Sequence, residues 1–227
     1  HSGSDVSTTQ SVLLGDCSAG GSDIAEYYGS KDVTIEAGDV VVAAPGAVDV
    51  GVNSKAYVNK STSSYQGGVI GIVSTNPYDS FGKNFDSNEH SFPVALIGRI
   101  PVKISLENGP IKAGDLLTSS SIPGVAMKTT KTGTIVGKAL EDLDAVDESK
   151  AVGFYDPDSK EYRSKANFPD IPTKSNIIKI VKIYAFANVS WYDPDVYITS
   201  TGGLSINNDL ASQGVPLRSY SIKSAFD

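Results

Sequence analysis

The sequence predicts an all-β protein, a compact β-barrel or sandwich with an internal pseudo-two-fold duplication, long loops and a short terminal β-hairpin extension. Three observations predict it. Short β-branched runs are dense and bounded by turn residues, helical periodicity is almost absent, and one turn-plus-strand pattern occurs twice.

The runs are Val40-Val41-Val42, Val69-Ile70-Gly71-Ile72-Val73, Val94-Ala95-Leu96-Ile97 and Ile100-Pro101-Val102-Lys103-Ile104, followed by Asp115-Leu116-Leu117-Thr118, Thr134-Ile135-Val136-Gly137 and a long one over residues 177–183. In the last, Ile178, Ile180, Lys182, Tyr184 and Phe186 share one face, and Lys179, Val181, Ile183 and Ala185 the other. That mixture suits a strand in a layered or closed sheet. Helical expectations are confined to one or two turns over residues 23–28, capped by Ser22 or Asp23 and stopped by Gly29, and a short acidic helix or solvated loop over residues 140–150.

The repeat is Ile35-Glu36-Ala37-Gly38-Asp39-Val40-Val41 against Ile111-Lys112-Ala113-Gly114-Asp115-Leu116-Leu117. A Pro-Gly follows each, at Pro45-Gly46 and Pro123-Gly124, and then a glycine-bracketed apolar strand, at Gly67–Gly71 and Gly133–Gly137. Gly38-Asp39 and Gly114-Asp115 are read as tight turns, each launching a buried strand. Between the halves, Glu107-Asn108-Gly109-Pro110 reads as a hairpin reversal, Asn108-Gly109 supplying the positive φ angles.

These signals divide the chain into a tag or linker remnant at 1–4, an N-terminal connector at 5–31, a β domain with the repeat at 32–190, and a C-terminal extension at 191–227. In the extension, Val196-Tyr197-Ile198-Thr199 and the alternation after Thr201-Gly202-Gly203 read as a terminal hairpin or the start of a fibrous shaft. A chain of 227 residues needs no metal or disulfide staple, because it can bury roughly 70% of its unfolded surface.

Composition narrows function. The net charge of −7 argues against nucleic acid and anionic lipid as partners. No apolar run is long enough for membrane insertion as a helix. The lone Cys17 has only acids and small residues around it, so it lacks the positive neighbour that activates a thiol. His90 sits in a polar loop without clustered Cys or His, so no metal, no cofactor and no catalytic residue is expected. The pairs Asp156-Pro157-Asp158 and Asp193-Pro194-Asp195 read as turns rather than calcium loops.

Two long loops, residues 76–92 and 151–176, are the candidate partner-binding surfaces. Asn76, Tyr78, Asp79, Phe81, Phe85 and His90 lie in the first, and Tyr155 and Tyr162 in the second. Tyrosine and phenylalanine beside Asn and Asp can stack on sugar rings, contact a protein, or pack the loops onto the body.

The run Ser22-Asp23-Ile24-Ala25-Glu26-Tyr27-Tyr28, then Glu36–Val42, and above all Pro93-Val94-Ala95-Leu96-Ile97-Gly98-Arg99-Ile100-Pro101-Val102-Lys103-Ile104-Ser105 with Glu107-Asn108-Gly109-Pro110-Ile111 and Gly114–Ser121, carry a resemblance. So do Pro123–Lys128, Gly137–Glu141 and the exit Trp191–Asp195. They resemble a module near the C-terminal ends of large bacterial surface proteins and phage-tail-fibre-like proteins. Val69–Ser74 followed by Asn76-Pro77 is similar to the autoprocessing intramolecular-chaperone domains of phage appendages, although no Ser-Lys or other cleavage motif carries over. The resemblance implies an extracellular or cell-surface location, a homo-oligomer of trimeric type, and a structural or attachment role at the end of a fibre, against a cell-surface glycan or protein. Autoproteolysis and carbohydrate binding are the alternative expectations.

Overall fold

A computed structural model describes residues 22–49, 55–86, 89–169, 176–193, 196–198 and 204–206, with backbone alone for 46–49, 196–198 and 204–206. The tag remnant, Cys17 and the chain after residue 206 lie outside the described residues.

The fold is all-β. In chain order the strands are β1 (Ser22–Gly29), β2 (Val40–Asp49), β3 (Lys55–Lys60), β4 (Val69–Val73), β5 (Asp79–Phe81), β6 (Ser91–Ile104), β7 (Leu116–Ser119), β8 (Ala126–Lys128) and β9 (Gly133–Ala139). After the 3-10 turn Glu148–Lys150 come β10 (Gly153–Asp156), β11 (Glu161–Ser164), β12 (Ile178–Tyr192), β13 (Val196–Ile198) and β14 (Leu204–Ile206). The first twelve form one sheet in the order β11-β10-β12-β9-β7-β8-β6-β4-β2-β3-β1-β5. Two additional pairings, β6 with β1 and β6 with β12, fold that sheet back on itself. The result is two small rings, β6-β4-β2-β3-β1 and β6-β8-β7-β9-β12, that share β6 as a common wall.

The consecutive valines of β2 follow from this arrangement. Val40 and Val42 enter one core cluster with Ile72, Ala95, Ile104, Leu117, Val136 and Ile183, whereas Val41 enters another with Ile35, Val58, Val73 and Val94. A strand buried on both faces needs no polar alternation. Leu96 is the extra residue of a β-bulge, since Ile24 pairs with Ile97 and Ala25 with Ala95. The bulge lies between the stretch of β6 paired to β4 and the stretch paired to β12, where the strand passes from one ring to the other.

The repeat is structural. In the first half Asp39 N–H donates to Glu36 O at 3.1 Å, Gly38 N–H to Val73 O at 2.8 Å, and Val73 N–H to Asp39 O at 2.8 Å. In the second half Asp115 N–H donates to Lys112 O at 2.9 Å, Gly114 N–H to Ala139 O at 2.8 Å, and Ala139 N–H to Asp115 O at 2.8 Å. Gly38 and Gly114 have φ of 93° and 95°, the left-handed backbone that glycine tolerates best. The pairings after each turn match as well, Val41 opposite Gly71 and Leu117 opposite Gly137.

Several expectations are corrected. Residues 23–28 form no helical turn, and lie within β1, paired to β6 along its length. Residues 22–29 of the stretch read as connector thus supply a wall of the first ring, and residues 5–21 of it lie outside the described residues. Of the two readings of residues 140–150, the solvated loop holds and the acidic helix does not: the stretch is mostly exposed, has no helix beyond the 3-10 turn Glu148–Lys150, and is pinned where Leu143 bridges Ile111. Asn108-Gly109 does reverse the chain, Gly109 N–H donating to Leu106 O at 2.9 Å, but β6 and β7 form no hairpin because β8 lies between them. Each long loop contains strand, β5 in the first and the β10–β11 hairpin in the second. The terminal hairpin is present as β13 paired antiparallel to β14. Among the described residues, no helix is long and apolar enough to cross a membrane.

Candidate functional site

The side chains with the most unusual environment are charged. Asp39 leaves the first turn for the interior, where it is 0% exposed, and Lys103 of β6 is 1% exposed. Burying a charge is costly unless it is paired and hydrogen-bonded. Lys103 Nζ lies 2.6 Å from Asp39 Oδ1 and 2.6 Å from Glu36 Oε1. Asp39 Oδ2 lies 3.3 Å from Lys60 Nζ and accepts the Glu36 backbone N–H at 2.9 Å. The Tyr162 hydroxyl donates to Glu36 Oε1 at 3.0 Å, and its ring lies 4.3 Å under Lys103 Nζ. The β6–β12 register sets Lys182 directly opposite Lys103.

The fold explains why these groups converge. Lys103 N–H donates to Gly38 O at 3.0 Å, so β6 holds the Glu36–Asp39 turn against its own backbone. Lys60 ends β3, next to β2. Tyr162 arrives on β11, carried in by the pairing of β10 with β12.

Burial pushes the Asp39 carboxyl up, beyond what Lys103 and Lys60 offset. Burial also acts to raise Glu36, but the Lys103 ammonium beside it and the Tyr162 hydroxyl hold it below the usual carboxylate range. Burial, with Lys103 opposite, lowers the Lys182 amine against the pull of Glu36 and Asp39. Burial and Glu36 drive the Tyr162 phenol upward, so it stays a donor at neutral pH.

A cleft of about 640 Å³ opens beside this cluster, lined by Asp32, Thr34, Glu36, Asn59, Lys60, Thr62, Tyr162, Arg163, Asn167 and Phe168 among others. Phe168 is 48% exposed, with the Arg163 guanidinium 5.3 Å from its ring centroid.

The residues singled out in the sequence scatter. Tyr162 lies in the cleft and faces Tyr155 across the β10–β11 hairpin. Asn76, Tyr78, Asp79 and Phe81 are exposed at and around β5, which borders β1 at the opposite end of the strand order from β11, whereas His90 is exposed just before β6, its carbonyl accepting the Ser30 N–H. Phe85 packs edge-on against Tyr57 of β3 at 6.0 Å between centroids, so it fastens its loop to the body. The turn residues Gly38, Asp39, Asn108, Gly109, Gly114 and Asp115 all sit in turns, and Asn108 also donates to Lys128 O at 2.8 Å. Sequence reading missed Glu36, Lys60, Lys103 and Lys182 as site residues. The available signal was Lys103 inside the apolar run Ile100-Pro101-Val102-Lys103-Ile104, a charge where the strand is otherwise apolar. Among the described residues, no group of three or more His, Cys, Asp or Glu is placed to hold a metal ion.

A second surface is apolar. Ile24 of β1 and Ile97 of β6 stand opposite each other and are 39% and 48% exposed. Tyr184 of β12 is 51% exposed, and Leu140, 43% exposed, follows beside it, donating its N–H to Tyr184 O; between them and Ile97 lie the half-buried Phe186 and its cross-strand partner Arg99. Phe81 of β5, opposite Glu26, is a further exposed apolar side chain on the other side of β1.

No family model, no curated protein and no solved structure matches the chain.

Proposed function

We propose that this chain is a structural and attachment module at the end of an extracellular fibre or cell-surface protein, and that it works by contact. The observation that carries this reading is the set of exposed apolar side chains Ile24, Ile97, Tyr184 and Leu140 on and beside β1, β6 and β12. Large apolar side chains gathered at an exposed surface mark an interaction site. A double ring with a common wall and a buried charge cluster suits a part that transmits force. The partner on these apolar side chains is a further copy of the chain, the trimeric arrangement being the one the sequence resemblance implies. Light scattering of the purified chain tests it. Assembly is expected for the native sequence and a monomer for the pair Ile97→Lys and Tyr184→Lys. A native chain that stays monomeric at high concentration sinks the self-association.

The cleft favours a second reading, carbohydrate binding. Tyr162 and Phe168 offer ring faces, and Asn59, Asn167 and Asp32 offer hydrogen bonds to hydroxyls. A glycan-array signal that disappears in Phe168→Ala supports it, and a blank array removes it.

A further inference from the structure

We propose that Lys103 and Asp39 condense into an intramolecular side-chain amide, an isopeptide bond, with Glu36 carrying the proton between them. The groups this reaction needs are already in contact. The amine nitrogen, Lys103 Nζ, is 2.6 Å from Oδ1 of the carboxyl whose carbon it would attack. Glu36 Oε1 is 2.6 Å from the same nitrogen. Two donors address the other carboxyl oxygen, Oδ2: the Glu36 backbone N–H at 2.9 Å and Lys60 Nζ at 3.3 Å. Donors held ready where negative charge develops stabilise a tetrahedral intermediate most effectively in a site closed to water.

The steps balance without any co-reactant. Lys103 and Asp39 first exchange a proton within the pair, giving a neutral amine and a neutral carboxylic acid. Burial raises the Asp39 carboxyl in this structure, which favours its protonated form in the exchange. The Nζ lone pair then attacks Cγ of Asp39, and the charge that builds on Oδ2 meets the Glu36 N–H and the Lys60 ammonium. Glu36 takes a proton from Nζ and passes it to Oδ1. The Cγ–Oδ1 bond breaks, its electron pair leaves with the oxygen, and one water is released. Oδ2 becomes the amide carbonyl oxygen and keeps its two donors. Nothing is oxidised or reduced.

Position supports the assignment. Both reacting side chains are almost wholly buried, which keeps the water that would reverse the step away from the bond. The second half of the fold supplies an internal comparison. Asp115 occupies the equivalent turn and pairs with Lys128 at 2.8 Å, but the two side chains are 25% and 31% exposed. The solvated pair stays an ordinary ion pair.

The intact mass of the native chain, measured on folded protein, decides the matter. It is expected to fall below the sequence mass by one water, with a tryptic species joining the peptides that carry Asp39 and Lys103. Lys103→Arg should restore the full mass, and Glu36→Gln should leave a fraction uncondensed in freshly made protein. The full sequence mass in a folded native chain overturns the proposal, as does a water loss that peptide mapping places elsewhere. Because the native chain alone gives both readouts, a variant that fails to fold leaves the decision intact.

Discussion

Asp39 and Asp115 occupy the same step of two copies of one turn, yet one is sealed in the interior and the other borders solvent. Each accepts a backbone N–H three residues earlier, Asp39 from Glu36 at 2.9 Å and Asp115 from Lys112 at 2.8 Å. The turn therefore needs an aspartate in both places, and only the first half adds a buried cation cluster around it.

Removing the two carboxylates should expose that difference. Asp115→Ala loses a turn hydrogen bond and a partly solvated ion pair, a cost of about 1 kcal/mol. Asp39→Ala leaves Lys103 and Lys60 in the interior with Glu36 as the remaining carboxylate and removes the amide to Lys103 as well, a cost of at least about 3–5 kcal/mol. Urea denaturation of the two variants checks the ranking, and equal costs would contradict the assigned burial.

Glu36 gives a pH dependence with a definite sign. Its folded carboxyl is held below the usual range, so its contribution is present above the unfolded pKa and fades as pH falls through the folded one. Tyr162→Phe removes the hydroxyl that donates to Glu36. It should cost about 1 kcal/mol at neutral pH and progressively less in acid, read from denaturation midpoints across a pH series.

Asp23 should behave in the opposite sense. It is buried at the start of β1, burial raises its carboxyl, and its Oδ2 and the nearby Ser74 hydroxyl complete no hydrogen bond of ordinary geometry. Stability from such a group is full below the unfolded pKa and is lost as pH rises through the folded one. Asp23→Asn should therefore gain on the native chain as pH rises from acid to neutral. A variant that falls behind with rising pH would show that the carboxylate has a charged partner.

Gly98 of β6 pairs with Asp23 of β1 and leaves no room for a side chain between the two strands. A Cβ there would meet Ser22 O at 2.4 Å and Asp23 Cα at 2.5 Å, and the φ of 124° disfavours any other residue. Gly98→Ala should cost about 2 kcal/mol or more by strain and by opening of the first ring. Thermal unfolding compared with Gly109→Ala, where the added Cβ meets nothing within 4 Å, separates crowding from backbone preference.

How much the sequence revealed follows the direction in which side chains point. The turns at Gly38 and Gly114 were legible because their backbone demands specific residues, and Val40-Val41-Val42 because both faces of β2 are buried. β1 was not legible, since its polarity is inverted: Asp23 points inward while Ile24 points to solvent. An inward aspartate and an outward isoleucine erase the alternation that marks a strand. β5, β10 and β11 were hidden for a related reason, being short strands at the ends of the sheet with half-exposed faces. The charge cluster was missed because lysine on a strand ordinarily reads as a solvent-facing residue, and Lys103 inside its apolar run was its one visible trace. Its convergence depends on pairings between segments far apart in the chain, Lys103 and Asp39 being 64 residues apart.

The common wall has a consequence for any attempt to divide the protein. β6 completes the first ring by pairing with β1 and β4, and the second by pairing with β8 and β12. Neither half is a closed body once that strand is assigned to the other. Split-fragment complementation at the Asn108-Gly109 turn should therefore be lopsided: the fragment retaining β6 keeps an intact first ring, while its counterpart is left with a gap into which only that strand fits.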